Sequence, residues 1–290
     1  MSLSGKITKK IENLRGSAVK KTESLSGGCI SNAYKVTFED NLSFLIKINE
    51  HSPVDMFIKE AHGLQELRKA SAIKVPEVLL FDAEFILLEF INGASKQKYF
   101  FEEFGRKFAL LHKYNADEFG FYEDNYIGST PQININDVKT KKNWTSFYLN
   151  NRLLYQFKLA EKNGYADNRL RDAFMKTEDK IESILEGSDG KPSLLHGDLW
   201  SGNFMTDEKG DACLIDPAVY YGHREADLAM TKLFGGFSQS FFDSYNDTFP
   251  LSEGWKYREN IYMLYHVLNH LNLFGSGYYA HALSLMKYYI

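Results

Sequence analysis

Residues 196–204 contain the side chains best suited to chemistry, in the pattern His-Gly-Asp followed by an Asn five residues after the Asp. A tight loop can aim Asp198 and Asn203 at one point, and a short hairpin around residues 209–210 would return Asp216 to the same place. Two carboxylates and an amide are oxygen donors, which suit Mg²⁺ better than zinc. Phosphoryl transfer needs such a set, so we expect Asp198 to accept a hydroxyl proton, and Asn203 and Asp216 to hold Mg²⁺ on phosphates.

A plainer interpretation exists for these residues, because Asp and Asn often cap turns in surface loops. Apolar residues flank this loop and a strand-borne Asp216 follows it, which favours the kinase-type interpretation. His196 could be a base or a metal ligand. The favoured interpretation is a structural one, in which the ring lies beneath the loop and hydrogen-bonds backbone groups.

A kinase-type loop requires a lysine on a central strand of a nucleotide-binding lobe, paired with a carboxylate on the following helix. Lys47 lies between apolar residues in the run Phe-Leu-Ile-Lys-Ile, an unfavourable place for an unpaired charge. Glu60 lies on the predicted helix that follows, and Glu66 is the rival partner. Alternatively, Lys47 extends to solvent and Glu60 is a solvated helix residue.

The turn at residues 25–33 is rich in glycine and small polar residues, so its backbone N–H groups could approach phosphates. It departs from Gly-x-Gly-x-x-Gly and by itself would be interpreted as a hairpin turn. The candidate phosphate-binding residues are Gly27, Gly28, Ser31 and Asn32. Backbone groups near Glu89 and Ile91, at the end of the lobe's last strand, are the candidates for an adenine edge.

Periodicity predicts the elements that must position these residues. The first part of the chain predicts an opening helix, strands at residues 33–38, 42–49, 78–81 and 85–90, and a helix at 54–70. The later part predicts helices at 100–114, 144–162, 169–185, 237–247, 256–274 and 279–289, with short β-like runs at 193–196 and 212–215. We therefore predict an α+β chain with a small antiparallel sheet lobe, residues 1–92, and a larger, mainly helical lobe, residues 93–290.

Composition excludes several classes of protein. The 290 residues carry a net charge of −4, so bulk attraction to nucleic acid or anionic membrane is not expected, although Lys139–Lys142 form a local basic patch. Two cysteines, Cys29 and Cys213, suit a reducing cytosol. The most apolar stretch is the seven residues 85–91, far short of the roughly 20 that span a bilayer. We expect a cytoplasmic monomer, with most of the 22 Phe and 18 Tyr packed in the helical lobe.

The chain resembles the fructosamine (ketosamine) kinase family, within the aminoglycoside/choline kinase-like branch of the protein-kinase fold. The resemblance is carried by residues 26–33, 125–132, 196–203, 215–218, 220–230 and 271–275. It implies a bilobal kinase-like fold that binds ATP in the cleft between the lobes. The implied activity is ATP- and Mg²⁺-dependent phosphorylation of a sugar hydroxyl in a glycated amine, free or attached to a protein.

In this resemblance Asp198 corresponds to the catalytic base, Asn203 and Asp216 to the Mg²⁺ ligands, and Lys47 with Glu60 to the phosphate-holding pair. Trp200 either stacks on the substrate or plugs into the helical lobe, and Tyr126 is a second candidate for the substrate pocket. Core packing is favoured over pocket lining for His266, His270 and their aromatic neighbours. Two alternatives stay open: a kinase for another amino-alcohol or aminoglycoside, and a catalytically inactive kinase-like binding domain.

Overall fold

The computed structural model describes residues 3–25, 32–48, 53–137, 140–188 and 190–290. An antiparallel five-stranded sheet dominates the first part of the chain, with strand order β1-β2-β3-β5-β4. Its strands are β1 Val19–Leu25, β2 Asn32–Phe38, β3 Ser43–Ile48, β4 Val78–Phe81 and β5 Phe85–Glu89. The four strands predicted at residues 33–38, 42–49, 78–81 and 85–90 are therefore confirmed to within one or two residues at their ends.

Two helices cover the two faces of this sheet. Helix α1, Gly5–Arg15, begins at Ser4, whose hydroxyl accepts a hydrogen bond from the backbone of Ile7, and it buries Ile7 and Ile11 on one face. Helix α2, Met56–Lys69, packs its apolar side on the other face of the sheet, against the strand side chains that alternate with those facing α1. Because side chains alternate along a strand, β5 serves both cores, with Phe85 and Leu87 on one side and Ile86 and Leu88 on the other.

The rest of the chain is mainly helical. Its helices are α3 Phe100–His112, α4 Trp144–Tyr148, α5 Tyr155–Lys162, α6 Asn168–Glu178, α7 Ile181–Ile184, α8 Glu225–Leu233, α9 Gln239–Thr248, α10 Trp255–Phe274 and α11 Tyr279–Lys287, with a 3₁₀ turn at Ser276–Tyr278. This arrangement of a small sheet followed by helices confirms the predicted α+β class.

Two predicted helices are interrupted. The helix expected at residues 144–162 contains a π-helical segment, Leu149–Leu154, between α4 and α5. The widened turn lies at Arg152, whose fully buried guanidinium stacks on Tyr220 at 4.0 Å and donates to the carbonyl of Ile133. Apolar periodicity does not report such a tertiary contact. The helix expected at 169–185 is similarly divided into α6 and α7.

Three small antiparallel strand pairs lie beside the helices and hold the polar loops. They are β6 Asn125–Ile127 with β7 Thr130–Gln132, β8 Ser193–Leu195 with β11 Tyr220–Gly222, and β9 Phe204–Thr206 with β10 Ala212–Leu214. A strand of three residues is too short to show an alternating pattern, which explains why the sequence predicted only two of the six.

Most of the aromatic side chains are packed. One large core joins α4, α5, α6, α10 and α11, and a second joins α2, α3 and α9 to the sheet. In the described parts of the chain, no helix combines the length and the apolar character needed to cross a membrane.

Candidate active site

The polar loop at residues 196–203 begins where β8 ends and returns to the core through β9. Gly197 has a φ of +83°, and a Cβ at this position would lie 1.9 Å from the carbonyl oxygen of Ala218. Only glycine fits this backbone and this close approach. The chain that follows Asp216 therefore packs directly against the start of the loop.

Asp227, on α8, anchors the loop from below. Its carboxylate accepts hydrogen bonds from the backbone N–H groups of His196 at 2.7 Å and Gly197 at 2.8 Å. The buried His112 contacts the same carboxylate at 3.2 Å through Nε2, and its Nδ1 lies 2.7 Å from the hydroxyl of Tyr245. The loop thus rests on a buried, charged hydrogen-bond network.

His196 lies beneath the loop in the structural role expected of it. Its Nε2 lies 3.0 Å from the carbonyl oxygen of Ile215, and its Nδ1 accepts from the backbone N–H of Asp198 at 3.3 Å. Both ring nitrogens are occupied by backbone groups. Burial lowers the pKa of His196 despite the nearby Asp227, which favours the neutral ring.

Asp198, Asn203 and Asp216 meet as the hairpin geometry predicted. The Asn203 amide donates to the carbonyl oxygen of Asp198 at 2.8 Å, to its Oδ2 at 3.1 Å and to the carbonyl oxygen of Asp216 at 3.4 Å. The β9–β10 hairpin returns Asp216 to this point with a φ of +53°, a backbone conformation uncommon for aspartate. Such strained residues are held by their surroundings and concentrate at functional sites.

Lys47 connects the sheet to this loop. Its Nζ lies 2.7 Å from Glu60 Oε1 on α2 and also contacts Asp216 Oδ1. Glu66 lies elsewhere, where its carboxylate accepts from the Tyr221 hydroxyl at 2.7 Å. Of the two candidate carboxylates, the structure therefore brings Glu60 to Lys47.

Burial and the mutual charges of these groups move their pKa values. Burial lowers the pKa of Lys47, but the carboxylates of Asp216 and Glu60 outweigh it, so the pKa lies above its ordinary value. Burial raises the pKa of Glu60. Burial also raises the pKa of Asp198 well above its usual range, although the hydrogen bond from Asn203 opposes the shift. The ammonium of Lys47 is therefore the dominant positive charge among these groups.

The donor set fits Mg²⁺ bound together with phosphate oxygens. Among the described residues, no cluster of three or more His, Cys, Asp or Glu side chains could hold a metal by itself. Asp216 is 44% exposed, and the amide oxygen of Asn203 has no hydrogen-bond donor among the described groups. One carboxylate and one amide oxygen are the partial shell that Mg²⁺ takes when a nucleotide supplies further ligands.

A cavity of about 240 Å³ opens over these groups, between α2, the polar loop and the C-terminal half of α10. Its lining includes Lys47, Glu60, Asp198, Trp200, Asn203 and Asp216, together with Met56, Lys59, Asn125, Tyr126, His270 and Phe274. The predicted catalytic, metal-binding and substrate-binding residues thus share one cavity.

Trp200 forms part of an aromatic wall of this cavity. Its indole packs on the Cα of Gly202, where an added Cβ would lie 2.3 Å from the ring, and against Phe234 with ring centroids 6.2 Å apart. Phe234 contacts His270 at 4.9 Å, and His270 contacts Phe274 at 5.4 Å. The wall is therefore built from the loop and the end of α10, and Phe234 at the end of α8 packs behind it.

The aromatic stripe of α10 divides between core and cavity. His266 is 3% exposed and belongs to the core, as predicted, whereas His270 and Phe274 line the cavity. The favoured core interpretation was therefore wrong for His270 and Phe274. Helical spacing alone could not separate them, because both positions continue the same apolar face.

Several predicted nucleotide-binding residues are not brought into the cavity. The Glu89 carboxylate contacts Lys74 at 3.1 Å and accepts from the backbone of Glu77, and neither Glu89 nor Ile91 lines the cavity. Asn32 is the exposed first residue of β2, paired with Ile48. Gly27, Gly28 and Ser31, and also Cys29, lie outside the described residues.

Sequence reasoning gave no role to Lys59 or Asn125 in the lining and overlooked Glu123 beside them. Lys59 precedes Glu60, and its side chain contacts Glu123 at 2.7 Å. Asn125 donates to the carbonyl oxygen of Val219 at 2.8 Å. An ordinary charged or amide residue carries no sequence signal of such a contact. Tyr126 lines the cavity, but its hydroxyl donates to Asp55.

The chain is similar to known proteins over most of its length. The profile described as fructosamine kinase matches residues 3–290. A chloroplastic protein-ribulosamine 3-kinase from Oryza sativa subsp. japonica is 39% identical over 274 residues, which cover 91% of this chain and 77% of the relative. A protein from Enterococcus faecium assigned as a ketoamine kinase is 36% identical, covering 87% of this chain and 89% of the relative.

Solved structures give the same picture of the fold. A crystal structure from Thermobifida fusca assigned as a fructosamine-3-kinase superposes with a TM-score of 0.90 at 29% identity, covering 99% of each chain. An aminoglycoside phosphotransferase with ADP bound superposes with a TM-score of 0.67 at 12% identity, covering 99% of this chain and all of the other. At that identity the second likeness shows the kinase-like fold alone, and the bilobal kinase-like class predicted from the sequence is confirmed.

Proposed function

Because the chain belongs to the fructosamine kinase family, we propose that it transfers the γ-phosphoryl group of ATP to a sugar hydroxyl of a ketosamine. The relatives named as ribulosamine and ketoamine kinases support this acceptor class. The observation that carries the proposal is the meeting of five groups at one cavity. These groups are Lys47, Glu60, Asp198, Asn203 and Asp216.

In the proposed reaction the acceptor hydroxyl attacks the γ-phosphorus of ATP. The new O–P bond forms while the bond from the γ-phosphorus to the bridging oxygen breaks, and ADP leaves with that oxygen. Asp198 takes the hydroxyl proton, and Lys47, oriented by Glu60, interacts with the phosphates. Little covalent chemistry is asked of the protein, so its contribution is positioning and charge stabilisation.

Asn203 and Asp216 would hold Mg²⁺, which neutralises the charge that develops on the phosphate oxygens. The Asn203 amide nitrogen donates both to Asp198 Oδ2 and to the carbonyl oxygen of Asp216, so the acceptor and phosphate sites adjoin. Asp216 contacts Lys47 here. In the proposed complex the phosphates and the cation separate these two charges.

Trp200 and Tyr126 are proposed to contact the acceptor. A ketosamine combines a sugar with a cationic amine, and aromatic faces bind both apolar sugar faces and cations. His270 and Phe274 extend the wall that Trp200 begins, and Phe234 packs against Trp200 and His270. A ketosamine placed against this wall would present the hydroxyl that accepts the phosphoryl group near Asp198 in the same cavity.

The remaining nucleotide contacts are part of the same proposal. Gly27, Gly28, Ser31 and Asn32 would supply phosphate-binding groups, and the backbone near Glu89 and Ile91 the adenine edge. Ile91 is 6% exposed and immediately precedes the proposed lobe boundary at residues 92 and 93. We also infer that the protein works as a cytoplasmic monomer without nucleic-acid or membrane partners. The net charge of −4 opposes bulk attraction to nucleic acid and anionic membranes, and the two cysteines suit a reducing cytosol.

The test is an ATP- and Mg²⁺-dependent phosphorylation assay with fructosyl-lysine and ribulosyl-lysine as acceptors. The variant Asp198→Asn keeps the size of the side chain and removes the base, so we expect turnover to fall about 10²–10⁴-fold with nucleotide affinity retained. Asp211→Asn is the matched control, because Asp211 pairs with Lys107 and does not line the cavity.

Different outcomes separate the alternatives. Equal turnover by the wild type and Asp198→Asn would refute the assigned base. Turnover with aminoglycosides or amino-alcohols but with neither ketosamine would replace the acceptor class. ATP binding without turnover on any acceptor would indicate an inactive kinase-like domain.

A further inference from the structure

A polar cluster joins the start of α2 to the segment that leads into β6. Glu123 accepts from Lys59 Nζ at 2.7 Å through one oxygen and lies 2.7 Å from His62 Nδ1 through the other. Three residues later in the chain, the Tyr126 hydroxyl donates to Asp55 Oδ1 at 2.7 Å. We name these five residues the α2 clasp. They connect a helix that packs on the sheet with a strand of the helical part.

The clasp replaces a local cap on α2. Asp55 occupies the N-cap position, yet its side chain makes no hydrogen bond to the helix backbone. Its carboxylate binds Tyr126 instead and lies 3.8 Å from Lys59. An N-cap aspartate usually satisfies the first N–H groups of its own helix. The beginning of α2 is therefore held by residues outside the helix.

The clasp contacts the turn of α2 that carries Glu60. Lys59 and His62 are three residues apart, so they lie on one face, and Glu60 follows Lys59 directly. The Lys59 and Glu123 side chains are 20% and 15% exposed, which makes this pair less screened than a surface ion pair. Glu60 Oε1 lies 2.7 Å from Lys47 Nζ, and a shift of this turn would move the carboxylate away from the ammonium.

The other end of the connection reaches the segment after Asp216. The Asn125 amide donates to the carbonyl oxygen of Val219 at 2.8 Å, and the Gln132 amide donates to that of Ala218 at 2.9 Å. These two side chains also bind each other at 2.9 Å. The β6–β7 hairpin is therefore attached both to α2 and to the residues that directly follow Asp216.

We propose that Glu123 is a positioning residue for phosphoryl transfer, because the clasp holds the turn of α2 that carries Glu60 and so keeps Glu60 paired with Lys47. This inference rests on the proposed function. Glu123 lies outside the cavity lining and acts through Glu60. The charge arrangement at Lys47 is then set by a contact between the two parts of the chain, before nucleotide arrives.

The test measures binding of the Mg²⁺ complex of a non-hydrolysable ATP analogue by calorimetry, which needs no acceptor. Glu123→Ala should weaken binding about tenfold, because α2 then spends less time in the competent position. Glu118→Ala is the matched control: Glu118 lies five residues earlier and forms an exposed ion pair with Lys141, so its affinity should equal that of the wild type. Thermal unfolding checks that each variant is folded. If Glu123→Ala does not fold, the binding of Glu123→Gln is measured in its place.

A double-variant cycle separates positioning from general support. If Glu123 acts through Glu60, the variant Glu60→Gln/Glu123→Ala should bind no more weakly than Glu60→Gln alone. If the loss of nucleotide affinity in the double variant equals the product of the two single-variant losses, the proposal is overturned. Wild-type affinity in the Glu123 variants would also overturn it. A wild-type protein that binds no nucleotide overturns the proposed function and this inference together. One that binds nucleotide but phosphorylates no ketosamine overturns the acceptor alone.

Discussion

Replacing Asp227 with asparagine should destabilise the protein and misplace the polar loop at residues 196–203. Asp227 is 1% exposed and does not line the cavity, so the substitution removes no contact with substrate. The carboxylate accepts two backbone N–H groups, from His196 and Gly197, and is in contact with His112. Burial raises the pKa of Asp227, but the hydrogen bond from His112 and its other partners bring it below the usual value, so the carboxylate is charged at neutral pH.

The magnitude follows from these contacts. A hydrogen bond to a charged group contributes about 1.5–3 kcal/mol, and a buried donor left without a partner costs about 1–3 kcal/mol. An asparagine at Asp227 can keep one oxygen acceptor and places an NH₂ group against the other N–H. We therefore expect a loss of about 3 kcal/mol, or a fall in melting temperature of roughly 5 °C for a chain of this size.

The catalytic consequence should exceed what stability alone explains. Asp198 follows the two anchored residues directly, and a misplacement of about 1 Å can cost on the order of 10²-fold in rate. Asp227→Asn, assayed well below its melting temperature, should show a lower kcat with a smaller change in the KM for ATP. Asp243→Asn, an exposed aspartate on α9, is the control. A melting temperature and kcat equal to those of the wild type would refute the anchoring role.

Two further predictions follow from burial and from the aromatic wall. Burial lowers the pKa of both His223 and His266 to about 3, so both are neutral in the folded protein. In the unfolded chain these two histidines take up protons near pH 6.5. Their contribution to the free energy of unfolding is therefore complete above that pH and is lost as the pH falls towards 3, which costs about 2 kcal/mol each at pH 5. Denaturant unfolding at pH 7 and pH 5 should therefore show a smaller loss for His266→Gln than for the wild type, and equal losses would contradict the assignment. Phe274 is 60% exposed and lines the cavity, so Phe274→Ala should raise the acceptor KM about 5–10-fold while leaving the KM for ATP and the melting temperature unchanged. Tyr99→Ala, exposed but remote from the cavity, is its control, and a matching rise in the KM for ATP would argue against an acceptor role.

The sequence predicted long elements better than short ones. The helix with Glu60 has clear periodicity because one of its faces is buried, and the strand with Lys47 is a short apolar run because helices cover both faces of the sheet. The π-helical segment at Arg152 and the three-residue strands β6 and β7 have no comparable pattern. They are stabilised by contacts with distant parts of the chain, which local propensity does not encode.

The chemical types of the site residues and their order could be predicted from the sequence: His196 and Asp198 in a loop with Asn203, Asp216 after a hairpin, and Lys47 on an earlier strand. Residue identity and spacing suffice here because a short loop limits where its side chains can point. Which carboxylate meets Lys47 could not be predicted in this way, because it depends on tertiary packing. Glu60 and Glu66 lie on the same helix, and their orientation depends on how α2 packs on the sheet and contacts Glu123 and Tyr221.

The division of the aromatic residues was likewise decided by tertiary packing. His266 and His270 are one helical turn apart on α10, yet one is buried in the core and the other lies in the cavity wall. The helix stays in the core beyond them, since Leu271 is fully buried, but His270 lies on another side of the helix, against Phe234 at the end of α8 and Tyr278 in the 3₁₀ turn. Hydrophobic periodicity identifies the face of a helix that is covered, whereas the neighbour that covers it is set by contacts between residues far apart in the chain.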